Sequence, residues 1–246
     1  MSSIKFFRST AGRQTCSSCG LGLKLSLTED DEAGSADKMV AHQLSEKALL
    51  ATGIRIGTPV RTKTMEPFTT RPRPDGLHMI DYSKTLQRID VAGRFIASTG
   101  AQNTVVYTSR EHGAMAVEKF CELTGAMSRI GRFMPGTFTN PLYPGHLDAE
   151  LVIVADPMSD TQAIVEAGSL GVPVIAICDT DNVTDDIDLV IPGNNRGRKA
   201  IAAIFWLLAR ATMTHAGVLE ADQPIKYSIE DFETKIDEEP KPELLE

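Results

Sequence analysis

Three runs of apolar and β-branched residues limit what this chain can become: NTVVYT at 103–108, ELVIVAD at 150–156 and VPVIAIC at 172–178. None alternates polar with apolar side chains, so each reads as a strand buried on both faces, the pattern of a parallel sheet covered above and below. The stretches between them have helical spacing. Ser83 can cap a helix that carries Leu86, Ile89, Gly93 and Ile96 near one face. His112 to Thr124 reads as a helix ended by Gly125, and a second, capped by Ser159, runs through Leu170 to Gly171. Arg196 to His215 is a long helix with Ile201, Ile204, Phe205 and Leu208 as its apolar stripe. LHMID (77–81), MSRI (127–130) and DLVI (188–191) add short strands, and a helix is expected near Lys38–Ala51. Strand–helix alternation with right-handed crossovers gives an α/β fold, a doubly wound parallel sheet with helices on both faces.

The length of 246 residues suits one such domain with tails. The expected division is a flexible N-terminal arm over 1–37, one α/β domain over 38–217, and an acidic, disordered tail over 218–246. Deleting that tail is expected to leave the domain folded, although KYSIEDFE (226–233) has the composition to dock on a partner. No apolar run is long enough for a membrane helix, and the N-terminus lacks the apolar core of a secretory signal. Cys121 and Cys178 sit in apolar stretches and read as buried thiols, which suits a reducing, cytoplasmic setting.

Neither GxGxxG nor GxxxxGK[ST] occurs, and DPMSDTQ (156–162) and CDTDN (178–182), where strands hand over to loops, offer no glycine bend or lysine for phosphate. Asp156, Asp179 and Asp181 stand at or just after strand ends, where magnesium is held in phosphotransferases. The alternative is ordinary turn and capping chemistry. Cys16 and Cys19 have the spacing of half a zinc site, but no second CxxC or HxxxH follows, so a full site needs two more ligands, from His42 or a neighbouring chain, and the alternative is two free thiols in the arm. The histidines are scattered and no GxSxG elbow exists. No catalytic residue, cofactor, metal or small-molecule substrate is assigned.

Charge carries more information. The net charge is −8, yet residues 1–27 hold four cations and no anion, whereas residues 218–246 hold three cations and ten anions. Acidity is concentrated in the tail, and local charge decides phosphate contact. Arg55, Arg61 and Lys63 lie in RIGTPVRTKT, and Arg71 and Arg73 alternate with prolines that favour an extended display. Arg129 and Arg132 flank Gly131. Asn194, Asn195, Arg196, Arg198 and Lys199 open the last long helix, where free N–H groups already favour an anion. These twelve residues are the candidate RNA-binding set. Aromatics are too few for a base-stacking platform, so backbone and shape recognition is the expected mode.

GIRIGTPVRTKTMEPF (53–68), RPRPDGLHMID (71–81), GRFMPGTFTNP (131–141), VADPMSDTQAIVEAGSLGVPVIAICDTDN (154–182) and DLVIPGNNRGRKAIAAIFWLLAR (188–210) follow one another in an order and spacing that resembles the ribosomal protein S2 family. The resemblance spans roughly 38–215. It is nearer to the archaeal and eukaryotic branch than to the bacterial one, because Asn140 reaches the strand at Glu150 with no room for a helical-hairpin insertion. It implies a flavodoxin-like sheet, a structural rather than catalytic role, and small-subunit (16S-type) rRNA and neighbouring small-subunit proteins as partners. The rival is a sugar-phosphate-binding, isomerase-like domain, with Ser159 and Thr161 holding the phosphate and Glu166 as general base. That rival leaves the cationic loops without a role.

Overall fold

The computed structural model describes residues 46–220, 223 and 225–234. Five strands, β1 (Thr104–Thr108), β2 (Met127–Ile130), β3 (Leu151–Val154), β4 (Val174–Cys178) and β5 (Leu189–Pro192), form one parallel sheet in the order β2-β1-β3-β4-β5. All five match expected strands. LHMID does not join the sheet: Met79 and Ile80 make isolated antiparallel bridges to Ile56 and Thr69, pinning a loop instead.

Alternate strand residues point to opposite faces and build two separate cores. Val106, Ile153, Ile175 and Ile177 belong to one, packed under helices α2 (Tyr82–Thr99), α3 (Glu111–Thr124) and α5 (Arg198–His215). Val105, Tyr107, Val152, Val154 and Ala176 belong to the other, under α4 (Thr161–Leu170), Met65 and Phe138. A short α1 (Glu46–Ala51) delivers Leu49 to the first core. The expected 38–51 helix is described only from Glu46 onward, and Cys16, Cys19 and His42 lie outside the described residues.

Local chemistry sets the helix ends. Asp81 caps α2 by accepting from the Ser83 N–H at 3.2 Å, so the cap lies two residues before Ser83. Gly125 (φ +79°) and Gly171 (φ +71°) end α3 and α4 in the left-handed conformation that glycine favours. The Asn194 carboxamide oxygen accepts from the N–H of both Arg196 and Gly197, at 2.9 and 3.0 Å. That turn delays α5 to Arg198.

The boundary at 217 requires correction. Residues 225–234 are docked on the domain's own helices rather than hanging free. The indole Nε1 of Trp206 donates to the Tyr227 carbonyl at 3.0 Å, and the Ser228–Asp231 capping box starts α6 (Ile229–Phe232). Phe232 is fully buried in the first core, and the Thr234 hydroxyl donates to the His112 carbonyl at 3.1 Å. Composition missed this because a single buried aromatic outweighs several solvated carboxylates around it.

Candidate nucleic-acid interface

In a doubly wound sheet the ligand crevice lies at the carboxyl ends of the strands, where the order reverses. Here that is between β1 and β3, and the chain fills it with its own groups. Asp156, just after β3, is 1% exposed. One carboxylate oxygen is ion-paired with Arg110 and accepts from the Ser159 hydroxyl at 2.7 Å. The other accepts from the Met158 N–H and the Asn195 amide, both at 3.1 Å, and from the Asn182 amide at 3.3 Å. One buried carboxylate thus holds four loops together, and the Arg110 ion pair and amide donors compensate its desolvation.

The residues of the two pocket readings are engaged structurally. Thr161 donates to the Pro157 carbonyl. Glu166 is buried and accepts from the backbone N–H of Gly136 at 2.7 Å and of Phe138 at 3.3 Å. It anchors the GRFMPGTFTNP loop to α4. The three aspartates do not converge: Asp181 pairs with Arg196, and Asp179 accepts from the Thr180 N–H. Among the described residues no group of three or more His, Cys, Asp or Glu is placed to hold a metal. Burial pushes the carboxyls of Asp160 and Asp179 up to about 6. The Asp156 carboxylate adds to the shift at Asp160, and the Asp181 carboxylate adds to that at Asp179.

The cationic candidates fall into two places. Most meet at the corner formed by the ends of β4 and β5. The Thr62 N–H donates to the Thr180 carbonyl at 2.9 Å, seating Arg61 and Lys63 beside the β4 end. The Asn194 N–H donates to the Ile54 carbonyl and its amide to the Gly53 carbonyl, seating Arg55 beside the start of α5. Arg71 and Arg73 lead into a tight turn closed by Gly76 N–H to Arg73 carbonyl at 2.9 Å, with Gly76 at φ +79°. Arg129 and Arg132 lie at the end of β2, the far edge of the sheet. Four strand spacings separate the two edges, roughly 19 Å.

Ion pairing sorts the cations further. Lys63, Arg71, Arg73, Arg132, Arg198 and Lys199 are exposed and none pairs with a carboxylate of the described residues. Arg55 and Arg129 donate to the carbonyls of Ile80 and Gly145 and likewise lack a carboxylate partner there. Arg61 pairs with Glu66 and Arg196 with Asp181. Cations that the sequence did not single out are engaged: Lys84 with Asp81, Arg94 with Asp90, Arg110 with Asp156, Lys119 and Lys226 with Glu122. Arg88, also not singled out, lies over the Phe68 ring at 5.3 Å, beside the loop that carries Arg71. Asn194 shapes the turn before α5, and Asn195 is 1% exposed with its amide on Asp156, so both position cations rather than face outward. Sequence reasoning missed Arg110. Its only signal was a cation just after a buried strand.

Fold and site together define an α/β protein whose strand-end crevice is filled by its own side chains and whose exposed cations mostly lack a carboxylate partner among the described residues. The comparisons agree with that class and narrow it. The family model for ribosomal protein S2 matches residues 146–215. The small ribosomal subunit protein uS2 of Nitrosopumilus maritimus is 48% identical over 194 residues, covering 79% of this chain and 94% of the relative. That of Thermofilum pendens is 48% identical over 187 residues, covering 76% and 87%, and that of Thermoplasma acidophilum 41% over 193 residues, covering 78% and 97%. The chain belongs to the ribosomal protein S2 family, and it is a structural protein rather than an enzyme.

Proposed function

We propose that this chain is a constituent of the small ribosomal subunit in the cytoplasm, where it binds the sugar–phosphate backbone of small-subunit (16S-type) rRNA and adjoins neighbouring small-subunit proteins. The twelve candidate residues divide by role. Lys63, Arg71, Arg73, Arg132, Arg198 and Lys199 contact phosphate, with Arg55 and Arg129 beside them. Arg61 and Arg196 contribute while sharing a carboxylate. Asn194 and Asn195 set the turn that presents Arg196, Arg198 and Lys199.

One observation carries this reading. Among the described residues, the cations singled out in the sequence are mostly without carboxylate partners, whereas the others are mostly paired. An exposed guanidinium with no internal partner contributes little to folding and remains free for an anion. The test is incorporation of purified wild-type, Arg198→Ala/Lys199→Ala and Arg94→Ala proteins into small-subunit particles across a salt series. The Arg198/Lys199 variant is expected to lose occupancy at lower salt than wild type, and the Arg94 variant to follow wild type. Equal occupancy of all three at every salt would remove the cations that open α5 from the interface.

A further inference from the structure

The second face of the sheet is incompletely covered. A doubly wound fold ordinarily places a crossover helix between successive parallel strands. Between β4 and β5 there is instead a loop, residues 179–188, so α4 is the only α-helix of the described residues over that face. Val190, on β5, and Ile187 remain only partly buried there. Between α4 and this loop runs a groove of about 340 Å³ lined by Pro157, Met158, Ile164, Val165, Val183 and the pair Asp185 and Asp186. Met158, Val165 and Val183 are 58%, 50% and 55% exposed.

The charge of the groove restricts its occupant. Among the described residues no cation lines it, and none pairs with Asp185 or Asp186. Two uncompensated carboxylates repel a phosphate backbone, so this face is unsuited to the polyanion that the loop cations attract. Apolar side chains rimmed by carboxylates suit a peptide that alternates aliphatic or aromatic anchors with lysine or arginine. We infer that the groove between α4 and the 179–188 loop docks a cationic, apolar-anchored segment of a neighbouring small-subunit protein. This inference rests on the ribosomal reading above and assigns one surface of the molecule to protein rather than RNA. The anchor packs against Met158, Val165 and Val183, and its cations meet Asp185 and Asp186.

The test uses full-length chain carrying a photo-crosslinking residue at Val183, assembled into small-subunit particles, with a second probe at Lys199 as the RNA-facing control. Irradiation is followed by nuclease or protease digestion and mass spectrometry of the adduct. The Val183 probe is expected to give a nuclease-resistant adduct to a small-subunit protein, in a peptide of net positive charge. Asp185→Lys/Asp186→Lys in the same chain should lower its yield about tenfold. An adduct to rRNA, to the chain's own residues or to a peptide without net positive charge would overturn the inference, as would no adduct or a yield unaffected by the charge reversal. If the Lys199 probe still reaches rRNA in those cases, the ribosomal reading stands without it. Failure of the chain to enter particles removes both.

Discussion

The Glu166 carboxylate accepts the backbone N–H of Gly136 at 2.7 Å and so ties helix α4 to a loop thirty residues away. A second bond from the Phe138 N–H to the same carboxylate sets the loop's angle, and Phe138 then enters the second core. Replacing Glu166 by Ala leaves two backbone donors without their acceptor and is expected to destabilise the fold by about 1–3 kcal/mol. Proteolysis within 131–147 should accelerate as the loop lifts. Chemical denaturation with limited proteolysis measures both. A stable E166A protein with unaltered cleavage would show that the carboxylate does not anchor the loop.

Phe232 predicts where the domain ends. Its ring is fully buried against α5, so Phe232→Ala is expected to cost about 3–5 kcal/mol. Truncation after 234 should leave the melting temperature nearly unchanged, whereas truncation after 217 should lower it sharply. This reverses the composition-based expectation that all of 218–246 is dispensable. Thermal melts of the two truncations decide between them, and equal melting temperatures would favour the compositional view.

Asp160 and Asp179 give the fold a pH dependence. Burial raises both carboxyls to about 6 in the folded chain, above their unfolded value near 3.8. The folded state therefore binds protons more tightly, and the stability they contribute is full below about pH 4 and lost as pH rises through about 6. Asp160→Asn removes one charge and is expected to raise the melting temperature at pH 7.5 while leaving it little changed at pH 4.5. A D160N protein that is less stable at pH 7.5 would mean that the ionised carboxylate is favourably held.

Much of the architecture was legible because period decides it. VVY, LVIV and VIAIC lack alternation, and the sheet buries all three on both faces. Gly125 and Gly171 ended their helices as expected because a left-handed residue admits little else. What escaped sequence reasoning depends on contacts between distant segments. Arg110 and Asp156 are 46 positions apart, and nothing local says that they pair. Asn195 looked like part of a phosphate clamp by its place before a helix, yet its amide turns inward to Asp156. The cationic loops were readable as a set, but which members are already ion-paired, as Arg61 is with Glu66, required the fold.

On the proposed reading, the cations without a carboxylate partner among the described residues bind RNA backbone phosphate. Its most direct measurement is the salt dependence of full-length chain binding to small-subunit rRNA, compared between wild type, Arg71→Ala/Arg73→Ala and the paired-cation control Lys119→Ala. Each lost phosphate contact should reduce the slope of log affinity against log salt by about 0.7–0.9. A slope shallower by roughly 1.5 is expected for the double variant and no change for the control. Identical slopes for all three proteins would contradict it.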